Sequence, residues 1–482
     1  MKPSRFPSIA AVSLLVALAA TAGASSRPHY GGAVRIVLHE RFNSLDPQAD
    51  DDHPAARDRV AALLFDTLTE TDSLGHVHPR LASSWRTEQG GRVWYFNLRL
   101  ANFQDGTVVT APDVVASLTR KNEGWTVTAV DQQTVRIEAP VAIPHMPEML
   151  ALRRFSILKR NNDKTLVGSG PYKLAEWQPG QRALLSANDD YWGGRPYPDS
   201  IEFQLGASLR DQLLERQLGP YSAAELTVDQ LRSLEQSNQN LQVSRPSDLL
   251  VLLFLHPDVP TAASKPARRP VDPRVREALS DAISRDAINN VILQKRGTPA
   301  SGILPQWLTG YEFLFPGGTN LDRAKELRAE AAGLVIIHPI ALAYDFSDPV
   351  AKLVADRIAV DAREAGIVVQ PYGEPHVGNK SARAGMDADA VLLRLPLQSL
   401  QPAVALAAAL DDTGLADPAS APLNATRPED VFELEGMALQ GFRVIPIAHV
   451  SQAVWLNNTV HNWLEAPNGA WNLDQLWTDG GK

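Results

Sequence analysis

The chain has 482 residues, of which 44% are hydrophobic and 21% are charged, as in ordinary globular proteins. This length predicts two or three domains or lobes, and the formal net charge of −9 argues against nucleic acid or an anionic membrane surface as a partner. The sequence contains no cysteine, which excludes disulfides, thiolate nucleophiles and thiolate metal sites.

The first residues have the pattern of a secretory signal peptide. Lys2 and Arg5 form a positive region, and Ile9 to Ala20 is an apolar stretch too short to span a bilayer comfortably. Ala22-Gly23-Ala24 fits the small-residue pattern of a cleavage site. We expect cleavage after Ala24, and the alternative is a retained membrane anchor. Because no cysteine is available for lipid attachment, the mature protein is expected to be periplasmic.

In the first half of the chain, apolar patterns predict strands and one helix. Val34 to Leu38 is a short apolar run, and Arg92 to Leu100 alternates with the period of a half-buried strand. A helix is predicted from Ala111, because a threonine before it and an aspartate in its first turn can form a capping box. A hairpin is predicted next, with arms at Trp125 to Val130 and Thr134 to Ala139.

In the second half, predicted strands and helices alternate. Leu249 to Leu255 is a continuous apolar run, which predicts a strand covered on both faces. Asp272 begins a predicted helix whose apolar stripe continues to Ile292. Two further amphipathic helices are predicted, at Leu321 to Ala332 and Val350 to Ala365. This alternation predicts an α/β lobe, and the tryptophan-rich C-terminal segment is expected to pack back onto the first lobe.

The segment from Val167 to Phe203 has the most distinctive order of motifs. Two glycines and a proline suit a turn that enters a strand, and two aromatic residues precede a glycine pair that suits a tight reversal. The motifs are, in order, Gly168-Ser169-Gly170-Pro171-Tyr172, Glu176-Trp177, Asn188-Asp189-Asp190-Tyr191-Trp192-Gly193-Gly194 and Asp199-Ser200-Ile201.

This order of motifs resembles the solute-binding proteins of ABC importers, in the large family that binds oligopeptides, dipeptides and nickel complexes (bacterial extracellular solute-binding protein family 5). The resemblance is good from Gly31 to about Gly333 and poor afterwards. Further blocks support it, namely Phe103-Gln104-Asp105-Gly106-Thr107, Ala111-Pro112-Asp113-Val114-Val115 and Asp272-Pro273-Arg274-Val275-Arg276.

The resemblance implies an α/β, two-lobed periplasmic-binding-protein fold of class II type (cluster C) with an inserted subsidiary domain. Two crossovers between the lobes would form a hinge, and the solute would be buried between the lobes. The implied boundaries are 25–52, 166–250 and 450–482 for lobe I, 53–165 for the inserted domain, and 251–449 for lobe II.

The resemblance also implies a function. The protein is expected to capture a small solute, foremost a peptide or peptide-like molecule, by hinge closure and to deliver it to a membrane ABC permease. No catalytic residue, cofactor or metal ion is expected. No nucleic acid is expected as a partner, and the protein is expected to act as a monomer.

Six residues are expected from the resemblance to contact the solute. Four lie in turns or loops that border the cleft in relatives, and the other two lie where relatives carry an aromatic residue and carboxylates. A buried arginine there favours a carboxylate or another anion, which leaves peptide specificity open. The six are Phe42 and Asn43 after the first strand, Ser169 beside a crossover, His256 after the buried strand, Arg394 after a strand from Ala390 to Leu393, and Gln398.

Other patterns leave different functions open. Ser156 and Lys159 fit the S-x-x-K pattern of a serine nucleophile, but the other elements of that site are absent. The pair His76 and His78, and the run Asp50 to His53, are possible metal ligands that are better interpreted as loop residues. The divergence of the C-terminal half also allows a degenerate member that acts as a sensor or assembly partner.

Overall fold

A computed structural model describes residues 28–120, 124–163, 165–206, 221–228, 230–231, 240–256, 270–334, 338–416 and 422–479. The expected signal peptide, residues 1–24, lies outside the described residues. Within the described residues, no helix is both long enough and apolar enough to cross a bilayer.

The first sheet has seven strands and is the framework of lobe I. Its central strand, Ala33–Leu38, runs parallel to its two neighbours, and the remaining strand pairs are antiparallel. From edge to edge the order is Tyr172–Gln178, Arg182–Ala187, Ser200–Leu205, Ala33–Leu38, Ala223–Glu225, Ala453–Leu456 and Leu241–Val243. The strands therefore come from three separate stretches of the chain.

The core of lobe I also takes in a helix and the C-terminal segment. The helix Pro54–Leu64 buries Val60 and Leu64 in this core, although the resemblance implied that the inserted domain begins at residue 53. Trp463 and Trp471 pack in the same core with ring centroids 4.7 Å apart. The tryptophan-rich end of the chain thus covers lobe I.

The second sheet has six strands and is the framework of lobe II. Its strand Asp248–Phe254 is buried along its whole length between two antiparallel neighbours. From edge to edge the order is Gly297–Pro299, Val444–Val450, Asp248–Phe254, Ala390–Leu395, Ile340–Asp345 and Val369–Glu374.

Helices cover both faces of the second sheet, as the continuous apolar run predicts. Leu250, Leu252 and Phe254 pack on one face, and alternate residues of the same strand pack on the other. The helices of the first face are Pro273–Ala282, Leu321–Ala332 and Pro349–Glu364, and those of the second face are Pro402–Thr413 and Pro428–Leu439.

A smaller four-stranded antiparallel sheet forms the inserted domain, whose core begins at Leu68. The helix Ala111–Thr119 packs against it, and the amide of Thr110 donates to the Asp113 carboxylate at 2.9 Å, as the capping box predicts. Val404 of lobe II enters this core. The strand order is Ala82–Glu88, Val93–Leu98, Thr134–Glu138 and Thr126–Ala129.

The predicted helix from Asp272 to Ile292 is interrupted. It ends at Ala282, because Ile283 is extended, and a single turn and a π-helical turn follow at Arg285–Ala287 and Ile288–Ile292. Other short elements complete the fold. They are the ribbons Thr69–Thr71 with Val77–Pro79, Lys159–Arg160 with Leu166–Val167, Val460–His461 with Trp477–Thr478 and Leu464–Glu465 with Trp471–Asn472, and the helical turns Gln89–Gly91, Met146–Met149, Arg153–Phe155, Gln306–Thr309, Glu312–Leu314, Lys380–Arg383 and Pro422–Asn424.

Two short segments connect the sheets of the two lobes and run side by side. Residues 244–247 lead from the first sheet into the second, and residues 451–452 lead back. The amide of Ser244 donates to the Gln452 carbonyl at 3.0 Å, and the Gln452 amide donates to the Ser244 hydroxyl at 2.9 Å. The sheets of the two lobes are therefore joined by two short segments that are hydrogen-bonded to each other.

Candidate functional site

A cavity of about 1470 Å³ lies between the two lobes. Lobe I contributes the loop after Ala33–Leu38 and the start of the helix Pro54–Leu64. Lobe II contributes Asp345 to Ala351 and Leu392 to Leu400, and the inserted domain contributes Ala151 to Arg154. Every part of the fold thus takes part in the wall of one cleft, which is large enough for a drug-sized or peptide-sized molecule.

A chain of polar contacts in the cleft wall crosses the junction of the lobes. Arg59 donates to Glu225 at 2.6 Å and also to the side-chain oxygen of Gln452. The side-chain amide of Gln452 donates to both oxygens of Asp248, at 3.0 and 2.9 Å. Arg394 donates to Asp248 through Nε at 3.1 Å. Two arginines, two carboxylates and one amide therefore link the first sheet to the second.

The carboxylates along this chain respond differently to burial. Burial raises the pKa of Glu225, but the neighbouring Arg59 and His39 outweigh burial and hold this pKa at about 2. Burial raises the pKa of Asp248 above its ordinary value, and Arg394 only partly offsets that rise. Burial also raises the pKa of Glu40, against the attraction of His53. The cleft wall therefore holds a firmly ionised carboxylate beside two that ionise less readily.

Two of the six expected site residues line the cleft. Arg394 does so from inside the strand Ala390–Leu395, which corrects the expectation that it follows the strand. Its side chain is 39% exposed, whereas the sequence analysis reasoned from a buried arginine at this position. Gln398 donates to Asp412 at 2.7 Å. The structure brings these two residues to one cavity, and their contact with a solute stays a prediction.

The structure does not bring the other four expected residues to the cavity wall. Phe42 is fully buried and stacks on Trp177, and Ser169 is fully buried and donates to Asp66 at 3.0 Å. His256 is held by the carbonyl oxygen of Ala388 at 3.1 Å, and Asn43 is exposed. These side chains turn toward the cores, the surface or the backbone, and their contact with a solute stays an untested prediction.

The cleft also contains residues outside the six expected to contact the solute, and one of them, His53, belongs to the run that the sequence analysis considered as possible metal ligands. The guanidinium of Arg59 stacks over Trp471 at 4.1 Å, and both residues line the cavity. His53 lies between Glu40 and Asp345, with ring nitrogens 3.8 and 3.5 Å from their carboxylates. Glu40 belongs to the loop that was expected to border the cleft. No local sequence pattern marked Arg59, Trp471 or Asp345 as site residues, because they come from distant parts of the chain.

The remaining sequence motifs have structural roles. Ser156 is fully buried and donates to the Arg153 carbonyl at 2.7 Å, and Lys159 lies over Phe103 at 4.3 Å, so the pair does not form a nucleophile and base. His76 and His78 both bind the Asp72 carboxylate on the surface. Among the described residues, no group of three histidine or carboxylate side chains is placed to hold a metal ion.

The cleft combines features that suit reversible binding of a polar organic molecule. It has an aromatic ring in Trp471, oriented cations and anions, and walls from two bodies joined by narrow crossovers. A molecule in such a cleft can contact both walls, and polar interactions are stronger where water is excluded.

The sequence matches a described family over most of its length. The profile of the bacterial extracellular solute-binding proteins, family 5, matches residues 76–417. The "Probable D,D-dipeptide-binding periplasmic protein DdpA" of Escherichia coli (strain K12) is 28% identical over 262 residues, which is 49% of each chain. The oligopeptide-binding protein AppA of Bacillus subtilis (strain 168) is 26% identical over 348 residues, 64% of this chain and 60% of that one. These alignments span about half of the length of such relatives or somewhat more.

Solved structures share the whole architecture at low identity. The murein tripeptide binding protein MppA of Escherichia coli superposes with a TM-score of 0.77 at 19% identity, covering 92% of this chain and 98% of that one. NikA of Staphylococcus aureus, in complex with Ni(L-His)2, superposes with a TM-score of 0.73 at 21% identity, covering 91% and 97%. These matches confirm the two-lobed α/β fold expected from the sequence.

Proposed function

Since the chain belongs to the bacterial extracellular solute-binding proteins of family 5, we propose that it captures a small solute between its lobes and hands it, chemically unchanged, to a membrane ABC permease. The observation that carries this proposal is the cavity of about 1470 Å³ whose walls come from both lobes and the inserted domain. A solute that contacts both walls favours the closed state, so binding shifts the population from open to closed.

We further propose a peptide or peptide-like molecule as the solute. Relatives named for oligopeptides, D,D-dipeptides and glutathione support this class, whereas a relative named for nickel points to a different cargo. The cleft presents both guanidinium and carboxylate groups, which suits a molecule that carries both charges. The proposed location is the periplasm, in keeping with the expected signal peptide.

Native mass spectrometry of the purified protein and titration with pools of di- to pentapeptides test this proposal. Closure should change tryptophan fluorescence, because Trp471 lines the cleft and Trp307 donates to the Pro246 carbonyl in a crossover at 2.7 Å. Calorimetry should show binding at micromolar or tighter affinity. A protein that retains no solute and responds to no pool would contradict the proposal.

A matched pair of variants links the signal to the cleft. Trp471→Phe should lose the part of the fluorescence response that comes from the cleft, while calorimetry still detects binding because phenylalanine keeps an aromatic ring at this position. Trp85→Phe, in the inserted domain's four-stranded sheet, should keep the response. An unchanged response in Trp471→Phe would show that the fluorescence signal does not come from the cleft wall.

A further inference from the structure

Two aspartates of lobe I reach across the cleft and bind the backbone of lobe II. The Asp50 carboxylate accepts from the amides of Lys380 and Ser381, at 2.9 and 2.6 Å. The Asp52 carboxylate accepts from the amide of Asn379 at 3.2 Å and pairs with the ring of His376 at 2.7 Å. These are direct contacts between the lobes that involve no solute.

The receiving segment of lobe II is braced by its own contacts. Arg383 is almost fully buried and donates to the carbonyls of Val377 and Gly378, at 3.2 and 2.8 Å. The Asn379 side chain accepts from the amide of Ala382 at 2.8 Å. These contacts fix the segment from within, so the backbone amides of Asn379, Lys380 and Ser381 are held in place as donors to the two carboxylates.

The two lobes approach so closely here that a side chain would not fit. A β-carbon added at Gly378 would lie 2.0 Å from the carbonyl oxygen of Asp52, well inside van der Waals contact. The backbone of Gly378 lies outside the left-handed region, so alanine suits the local conformation and clashes only when the lobes are together. The absence of a side chain at Gly378 therefore allows the two lobes to come this close together.

We propose that Asp50, Asp52 and residues 376–381 form an interlobe latch that holds part of the population closed before any solute arrives. Each carboxylate–amide contact is charge-assisted, and all of them break when the lobes separate. The latch therefore sets the open–closed equilibrium of the free protein and, through it, the apparent affinity for solute. In this proposal, Asp50 and Asp52 of the run Asp50 to His53 act as acceptors for backbone amides and not as metal ligands.

The test measures the distance between lobes in solute-free protein. Because the chain has no cysteine, Ala175→Cys in lobe I and Ala329→Cys in lobe II, both exposed, accept spin labels at two defined places. Native mass spectrometry confirms that no solute remains. Double electron–electron resonance should then show a closed component in the parent protein, and a parent that is entirely open would overturn the proposal.

Gly378→Ala is the steric variant, with Gly385→Ala as its matched control. The first should lower the closed-to-open ratio more than tenfold, because the methyl group meets the Asp52 backbone. The control is a glycine of the same segment whose added β-carbon would lie 3.8 Å from its nearest neighbour, so its distance distribution should equal that of the parent. Equal distributions for both variants would overturn the latch.

Asp50→Asn is the electrostatic variant, with Asp51→Asn as its control. The asparagine oxygen can still accept from one of the two backbone amides, of Lys380 or Ser381, but its NH2 group would face the other amide and the negative charge is lost, so the closed-to-open ratio should fall about fivefold. Within the part of the chain that the structure describes, the Asp51 carboxylate accepts from the amide of His53 in its own loop, at 3.3 Å, and reaches no residue of lobe II by a hydrogen bond, so its variant should resemble the parent. This pair decides the question even if Gly378→Ala fails to fold. Because no solute is needed, failure of the latch would leave the receptor proposal standing.

Discussion

Asp248 is the residue at which the polar contacts between the lobes converge. It accepts from Gln452 and Arg394 and is only 5% exposed, so its removal leaves two donors without an acceptor. We predict that Asp248→Ala lowers the free energy of unfolding by about 2 kcal/mol. Urea denaturation measures this. Asp190→Ala, an exposed control, should change stability by less than about 0.5 kcal/mol, and equal effects of the two would contradict the assignment.

Glu435 gives lobe II a pH dependence. Its carboxylate is fully buried and accepts from the amides of Ile303 and Leu304 and from the Tyr311 hydroxyl, at 2.5, 2.9 and 2.8 Å. Burial raises the pKa of Glu435 from 4.5 to about 7, and the hydrogen bonds only partly oppose burial. The folded protein therefore keeps a proton that the unfolded chain has released, so stability falls as pH rises from 4.5 to about 7.

We predict that Glu435→Gln flattens this part of the stability curve. Glutamine keeps an acceptor for the two amides and a partner for the hydroxyl, but it does not titrate. Denaturation at pH 5, 6 and 7 should show a shallower fall than in the parent, by up to about 1.4 kcal/mol per pH unit. Glu326→Gln, on an exposed helix surface, should keep the parental slope. A parental slope in Glu435→Gln would show that another group titrates.

At the scale of elements, the strand Asp248–Phe254 is the centre of lobe II, because its side chains enter the cores on both faces of the sheet. We predict that Leu252→Ala, at a position 1% exposed, lowers the free energy of unfolding by about 2–5 kcal/mol. Leu353→Ala, at a position 53% exposed, should cost less than about 0.5 kcal/mol. Similar losses for the two would contradict the assigned burial.

Elements with a clear hydrophobic pattern could be predicted from the sequence, but a break within a helix could not. The run Leu249 to Leu255 has no period, but it predicted a two-faced strand correctly, since a strand that is covered on both faces is apolar along its whole length. The helix from Asp272 was predicted ten residues too long. Its break is stabilised by Arg285, which is buried and donates to the carbonyls of Pro446 and Gly317, at 2.8 and 3.2 Å. An apolar stripe contains no trace of such distant acceptors.

At the scale of the molecule, the arrangement of the lobes came from the resemblance and not from periodicity. Arg59 and Glu225 are 166 positions apart, and Arg80 and Asp474, paired at 3.0 Å, are 394 apart. Neither pair has a local pattern. Arg394 and Gln398 line the cleft, although Arg394 lies inside its strand and not in a loop after it. The resemblance could not show which way a side chain turns, as Phe42 and Ser169 demonstrate.

The C-terminal segment should be essential for folding of the whole molecule. We predict that a chain ending at residue 450 does not fold cooperatively, because it lacks the strand Ala453–Leu456 and the core residues Trp463, Trp471 and Leu476. Circular dichroism during thermal unfolding checks this, with a chain ending at residue 479 as the control. A cooperative transition in the shorter chain would contradict it.

The place of Ala453–Leu456, between two strands that precede it by more than two hundred positions, also orders events in time. While a ribosome is still making the polypeptide, Leu241–Val243 has no neighbour in its sheet, since its described ladder partner has yet to be synthesised. This edge of the first sheet therefore cannot form until translation is nearly complete. A translocation channel that accepts only extended polypeptide would therefore receive the chain before this sheet is complete and before the fold is stable.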